Sequence, residues 1–115
     1  MFNKMVTPTG GSESVLFDSG TFKQSSSPYA CSLPFEPDVF VWVEVTATNG
    51  YIANIWLNPN TISPVQSASP SVYWSTGNSN YLGRSTTITW NGTNKTLTIP
   101  VSPNFDYEYV AFKYT

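Results

Sequence analysis

The sequence has no histidine and one cysteine, and only 10% of its 115 residues are charged. Without histidine there is no Ser-His or Cys-His nucleophile system and no imidazole ligand for a metal. A lone Cys31 excludes an internal disulfide and a cysteine-based zinc site. Beside Leu33 in an apolar strand pattern, it reads as a buried, inert thiol. No phosphate-cradling glycine loop is present. Long apolar runs are missing as well. The longest, residues 39–43, is far too short to cross a bilayer, and the opening "MFNKMVTPTGGSES" lacks the apolar stretch of a signal peptide. With Met1 as a native start, the expectation is a protein made in a cytoplasm and released, if at all, without a cleaved signal.

Basic charge is equally scarce. The five basic residues (Lys4, Lys23, Arg84, Lys95, Lys113) are scattered, and the net charge is −2. Nothing here tracks a phosphate backbone, so nucleic acid is not an expected partner. Membrane is not one either.

What the chain does have is aromatic and turn-forming residues. Aromatics make up 16% of it, with four tryptophans and seven tyrosines, and nine prolines and seven glycines punctuate it. One domain of this length buries roughly two-thirds of its unfolded surface without staples. Frequent turn residues between short apolar runs point to an all-β chain.

Residues 1–14 are polar around "TPTGGS" and read as a flexible arm, leaving 15–115 as the folded domain. "VLFDSGTFKQ" reads as a short strand or bulged hairpin broken at Ser19-Gly20. "SSSPYACSLPF" follows, with Tyr29, Cys31 and Leu33 on one face. The segment "DVFVWVEVT" is apolar on both faces: Val39, Val41, Val43 and Val45 on one, Phe40, Trp42, Glu44 and Thr46 on the other. Such a strand must be covered twice, by a second sheet on one side and by a loop or another subunit on the other.

Two Asn-Gly pairs predict two-residue hairpins. The first, at Asn49-Gly50, pairs Thr48 with Tyr51, Val43 with Trp56 and Trp42 with Leu57. The second, at Asn91-Gly92, puts Ile88, Trp90, Leu97 and Ile99 on one face. Residues 58–85, rich in Pro, Ser and Asn, read as a long loop with one short strand near 71–74. "FDYEYVAFKY" closes the chain as a strand. No stretch has a helical period, so the expected fold is a single antiparallel β-sandwich.

Catalysis has little to stand on. Glu36 with Asp38, and Asp106 with Glu108, are carboxylate pairs two residues apart. A glycosidase needs two carboxylates across a cleft, but such spacing also arises by chance on any solvated strand. A calcium site from the same oxygens lacks a clustered Asp/Asn/Gly loop. The expectation is therefore no enzyme, no metal and no cofactor. Sequons at Asn91 and Asn94 read as turn chemistry. The aromatics offer more, because a ring can stack on the apolar face of a sugar. Trp42, Trp56 and Trp90 fall in strands and read as core. Tyr73, Trp74 and Tyr81 fall in the polar 58–85 segment and are the candidate glycan platform.

The order of these segments resembles a broad group of bacteriophage tail-fibre and virion-surface domains, some of them similar to H-type lectins. The group has an early "G-x-F" strand, here Gly20-Thr21-Phe22. It then has a "G-F-x-P-x-x-V" phrase, here residues 33–39 with Leu33-Pro34 in place of the glycine. It closes on "Y-x-Y-x-A-F", here residues 107–112. The resemblance implies a small antiparallel sandwich that associates as a homotrimer on the virion surface. It also implies other virion proteins as partners and a host-surface glycan as a possible ligand. A chain of this size without a fibre shaft fits a capsid-decorating or head-fibre subunit slightly better than a tail-fibre tip. A carbohydrate-binding module is the competing expectation.

Overall fold

The computed structural model describes residues 14–46, 50–62, 71–75, 81–85 and 88–114. The expected arm therefore lies outside the described residues, apart from Ser14. Among the described residues nine strands follow in order: β1 (Val15–Lys23), β2 (Tyr29–Ser32), β3 (Val39–Thr46), β4 (Gly50–Leu57), β5 (Ser71–Ser75), β6 (Tyr81–Ser85), β7 (Thr89–Asn91), β8 (Thr96–Ile99) and β9 (Asp106–Tyr114). They form a six-stranded sheet, β1-β9-β3-β4-β5-β6, and a three-stranded sheet, β2-β8-β7. Every pairing is antiparallel. The fold is an all-β, two-sheet sandwich, as the composition and turn spacing predict.

The core lies between the sheets. Phe40, Trp42, Trp56, Tyr107 and Ala111 from the large sheet meet Cys31, Leu97 and Ile99 from the small one, with Leu33 and Ile88 just beyond its strands. Phe22 stacks on Tyr107 and Tyr29, with centroids 4.9 and 4.0 Å apart. Phe40 packs against Trp42 and Tyr109 at 5.6 and 5.4 Å. Cys31 is 1% exposed. Burial pushes its thiol from 9.0 up to about 12, outweighing a hydrogen bond with Tyr109. The inert reading of this cysteine therefore has a physical basis.

Four local expectations are corrected. Ser19-Gly20 does not break β1, which runs unbroken for nine residues against β9. Gly20 instead makes room for Tyr109, because a Cβ there would stand 2.8 Å from the Tyr109 ring.

The first hairpin has a different register. Thr46 pairs with Gly50, Val43 with Ala53, Trp42 with Asn54 and Phe40 with Trp56. The predicted two-residue turn would have put Trp42 and Trp56 on opposite faces. The observed register puts both on the core face, where they are 1% and 2% exposed. Burying two indoles together outweighs the intrinsic preference of an Asn-Gly turn.

The 58–85 segment contains two strands rather than one. β5 pairs with β4, and β6 with β5, so the β5–β6 hairpin widens the sheet beyond β4. Over Asn54 to Leu57, that side of β4 is thereby paired.

The second hairpin keeps its predicted faces but not its turn. Trp90 pairs with Leu97 across a four-residue connection, Gly92 to Lys95. Asn91 Oδ1 accepts from the amides of Thr93 and Asn94 at 2.9 and 3.0 Å, and Lys95 takes a left-handed φ of 55°. The asparagine closes the turn with its side chain instead of occupying its centre.

Candidate functional site

The predicted platform falls on the edge hairpin of the large sheet. Tyr73 and Trp74 lie on β5 and Tyr81 on β6, so they belong to paired strands rather than to a loop. In the ladder, Tyr73 is opposite Trp56 and Gly83, Tyr81 opposite Ser75, and Trp74 opposite Ile55 and Leu82. Tyr73 and Tyr81 thus hold positions of one parity and Trp74 of the other. Their side chains lie outside the described residues. Trp42 and Trp56 are core, and Trp90 packs against the core, as the strand assignment predicts.

Glu36 and Asp38 serve as structural acceptors. Glu36 Oε2 accepts from Asn58 Nδ2 at 3.0 Å and from Asn60 Nδ2 at 3.4 Å. Asp38 Oδ2 accepts from the Tyr114 amide at 2.7 Å. Asn58, 0% exposed, also donates to the Pro37 carbonyl at 2.8 Å and accepts from the Asn60 amide at 2.8 Å. This cluster fastens the entry of β3 to the exit of β4. Asp106 and Glu108 are exposed on β9 and face away from the core.

Sequence reasoning missed two acid–tyrosine contacts, one buried and one half-buried. The Tyr107 hydroxyl donates to Glu44 Oε1 inside the sandwich and accepts from the Ser102 amide at 2.7 Å. Burial, and then the bond to Glu44, push Tyr107 from 10.0 up to about 12. The Tyr109 hydroxyl donates to Asp18 Oδ2 at 2.9 Å. Burial is the largest cause holding Tyr109 above its ordinary value, followed by that bond. Both bonds satisfy polar atoms that the sandwich would otherwise bury unpaired. Neither acid–tyrosine pair could be read from a sequence separation of 63 or 91 residues.

The feature that stands out is the far face of the large sheet. Phe40, Trp42 and Glu44 of β3 are buried against the small sheet, while Val39, Val41, Val43 and Val45 on its other face are only partly buried. The register aligns these valines with Val110 and Phe112 of β9 and with Ala53, Ile55 and Leu57 of β4. Beyond β9, Phe17, Ser19 and Thr21 of β1 continue the row. Phe17 is 37% and Tyr114 62% exposed, and Phe17 lies 5.8 Å from Phe112. A shallow groove of about 360 Å³ runs over β9, lined by Phe17, Ser19, Val41 and Val110 and by Glu108 between Thr21 and Val43. None of these outward residues belongs to the core between the sheets. The face is apolar and open among the described residues.

No family model, curated protein or solved structure matches this chain. The functional reading therefore rests on this geometry and on the resemblance of its framework phrases. Those phrases meet in space: Gly20, Thr21 and Phe22 pair with Tyr109, Glu108 and Tyr107.

Proposed function

We propose that this chain is a non-enzymatic surface protein of a bacteriophage particle. It is a capsid-decorating or head-fibre subunit, or a tail-fibre tip, that assembles with copies of itself as a homotrimer and with other virion proteins. The observation that carries the assembly reading is the open valine face on the large sheet. An antiparallel sheet exposed to water usually alternates apolar-in with polar-out. Here the outward positions of β3 are valines throughout, which is the pattern of a strand covered on both sides. The virion location rests on the three framework phrases, and residues 1–14 are the segment assigned to attachment.

The experiment is sedimentation equilibrium of the purified chain with and without residues 1–14. A stable multiple of the 12.7 kDa protomer is expected for the full chain. A monomer at micromolar concentration would overturn the self-assembly reading. The carbohydrate-binding module stays in view for one reason: Tyr73, Trp74 and Tyr81 all fall on one edge hairpin.

A further inference from the structure

Resting on that assembly reading, we infer that the outward face of β1, β9, β3 and β4 is the surface through which one copy of this chain packs on the next. Val41, Val43, Val110 and Phe17 form its centre.

The first argument is extent. Strands of eight or nine residues, spaced ~4.8 Å apart with a rise of ~3.3 Å per residue, give these four a face of about 500 Å² in plan. The ladder continues through β5 and β6 to roughly 650 Å². That approaches the ~800 Å² each partner contributes to a stable complex. The four-strand face alone lies at the upper end of the ~300–600 Å² range of the largest surface patches on monomers, which are often functional.

The second argument is the distribution of charge. Among the described side chains, the charged residues on this face are Lys23, Asp106 and Glu108. Lys23 and Asp106 pair at one end, beside Val45, and Glu108 stands one outward position further in, opposite Thr21 and Val43. From Val41 and Val110 to Phe17 and Phe112 the face carries none. An apolar area with charge gathered on one side of it suits a protein–protein interface. A symmetry axis running along the strands brings the same ends of neighbouring copies together. It sets Lys23 of one copy near Asp106 or Glu108 of the next, so the margin is self-complementary. A second copy therefore fits this face in both polarity and charge.

The test compares the wild type with Val41→Lys and Thr21→Arg by sedimentation equilibrium, with circular dichroism melts as the check on folding. Thr21 lines the same groove at an already exposed position, so its substitution leaves the fold intact even if Val41→Lys does not. The expected result is a folded variant whose mass falls to the 12.7 kDa protomer while the wild type remains assembled. A folded Thr21→Arg chain that keeps the wild-type mass would overturn the assignment of this face. So would an assembly lost on removing residues 1–14 yet retained in both face variants. A wild-type monomer would instead remove the assembly reading beneath it.

Discussion

Gly20 lies directly beneath the ring of Tyr109: a Cβ at that position would stand 2.8 Å from Cε2 and 3.0 Å from the hydroxyl oxygen. The two residues are cross-strand partners in the β1–β9 ladder. Tyr109 cannot easily give way, because its hydroxyl donates to Asp18 at 2.9 Å and its ring packs on Phe40. Gly20→Ala is therefore expected to destabilise the domain by about 1–3 kcal/mol, the usual cost of overpacking. Urea denaturation reads it, and an unchanged midpoint would show that the ring moves freely.

A larger effect is expected at the buried acid. Glu44 is 5% exposed and receives the Tyr107 hydroxyl. Tyr107→Phe removes that donor and leaves the Ser102 amide without its acceptor. The cost should be about 2–4 kcal/mol, since buried groups left unpaired lose their full hydration. Pairing it with Glu44→Met should recover part of the loss, because two apolar groups need no partner. Strictly additive losses in this double-mutant cycle would show that the bond contributes nothing.

These two contacts mark what the sequence could and could not disclose. Alternation along β3 identified Phe40, Trp42 and Glu44 as one face and the valines as the other, because side-chain period is a local property. Hairpin register is not local. At the β3–β4 turn the actual pairing differs from the Asn-Gly expectation by an odd number of residues, so every side chain of β4 changes face relative to β3. At the β7–β8 turn the difference is even, and Ile88, Leu97 and Ile99 still arrive in the core although the turn is longer. The β5–β6 hairpin was obscured by its polar composition. Its place follows from β4 needing a neighbour, which no short window reveals. The open face was anticipated as a two-faced strand. Its extent over β1 and β9 became visible only with the strand order.

Alkaline stability follows from the same buried groups. The folded state holds Cys31 and Tyr107 above their ordinary 9.0 and 10.0, each at about 12. A group raised on folding stabilises the native state fully below its unfolded value, and that contribution is lost as the pH passes its folded value. Stability should therefore hold up to about pH 9 and decline between pH 9 and 12. Cys31→Ala should make the decline begin about one unit later, near pH 10, after allowing for its lower baseline. Equilibrium urea titrations across this range check it, and a native thiol that reacts rapidly at pH 8 would contradict the burial argument.

Asn58 is expected to be the least replaceable polar residue outside the acid–tyrosine pairs. It is fully buried, and its side chain bonds Glu36, the Pro37 carbonyl and the Asn60 amide. Its own amide donates to the Asp38 carbonyl at 2.9 Å, which ties β4 to the entry of β3. Asn58→Ala removes the bonds to Glu36, the Pro37 carbonyl and the Asn60 amide together, at about 2–4 kcal/mol. Asn58→Asp should also cost stability, since a carboxylate cannot donate to Glu36. A thermal melt within a degree of wild type for either variant would show that water replaces these bonds without loss.

The carbohydrate reading can be separated from the assembly reading by ladder parity. Trp74 holds a position opposite Ile55, a residue of the open face, whereas Tyr73 is opposite Trp56, a residue of the core. A sugar stacked on the sheet surface should therefore depend on Trp74 and not on Tyr73. On an array of bacterial surface glycans, Trp74→Ala is expected to weaken any binding seen by about tenfold. That factor is ~1.4 kcal/mol, near the upper value for one aromatic contact. Tyr73→Phe should leave it unchanged. Binding that survives Trp74→Ala would remove this hairpin as the platform. Binding lost together with assembly in Thr21→Arg would instead mean that the glycan is held between copies, and that the two readings describe one surface.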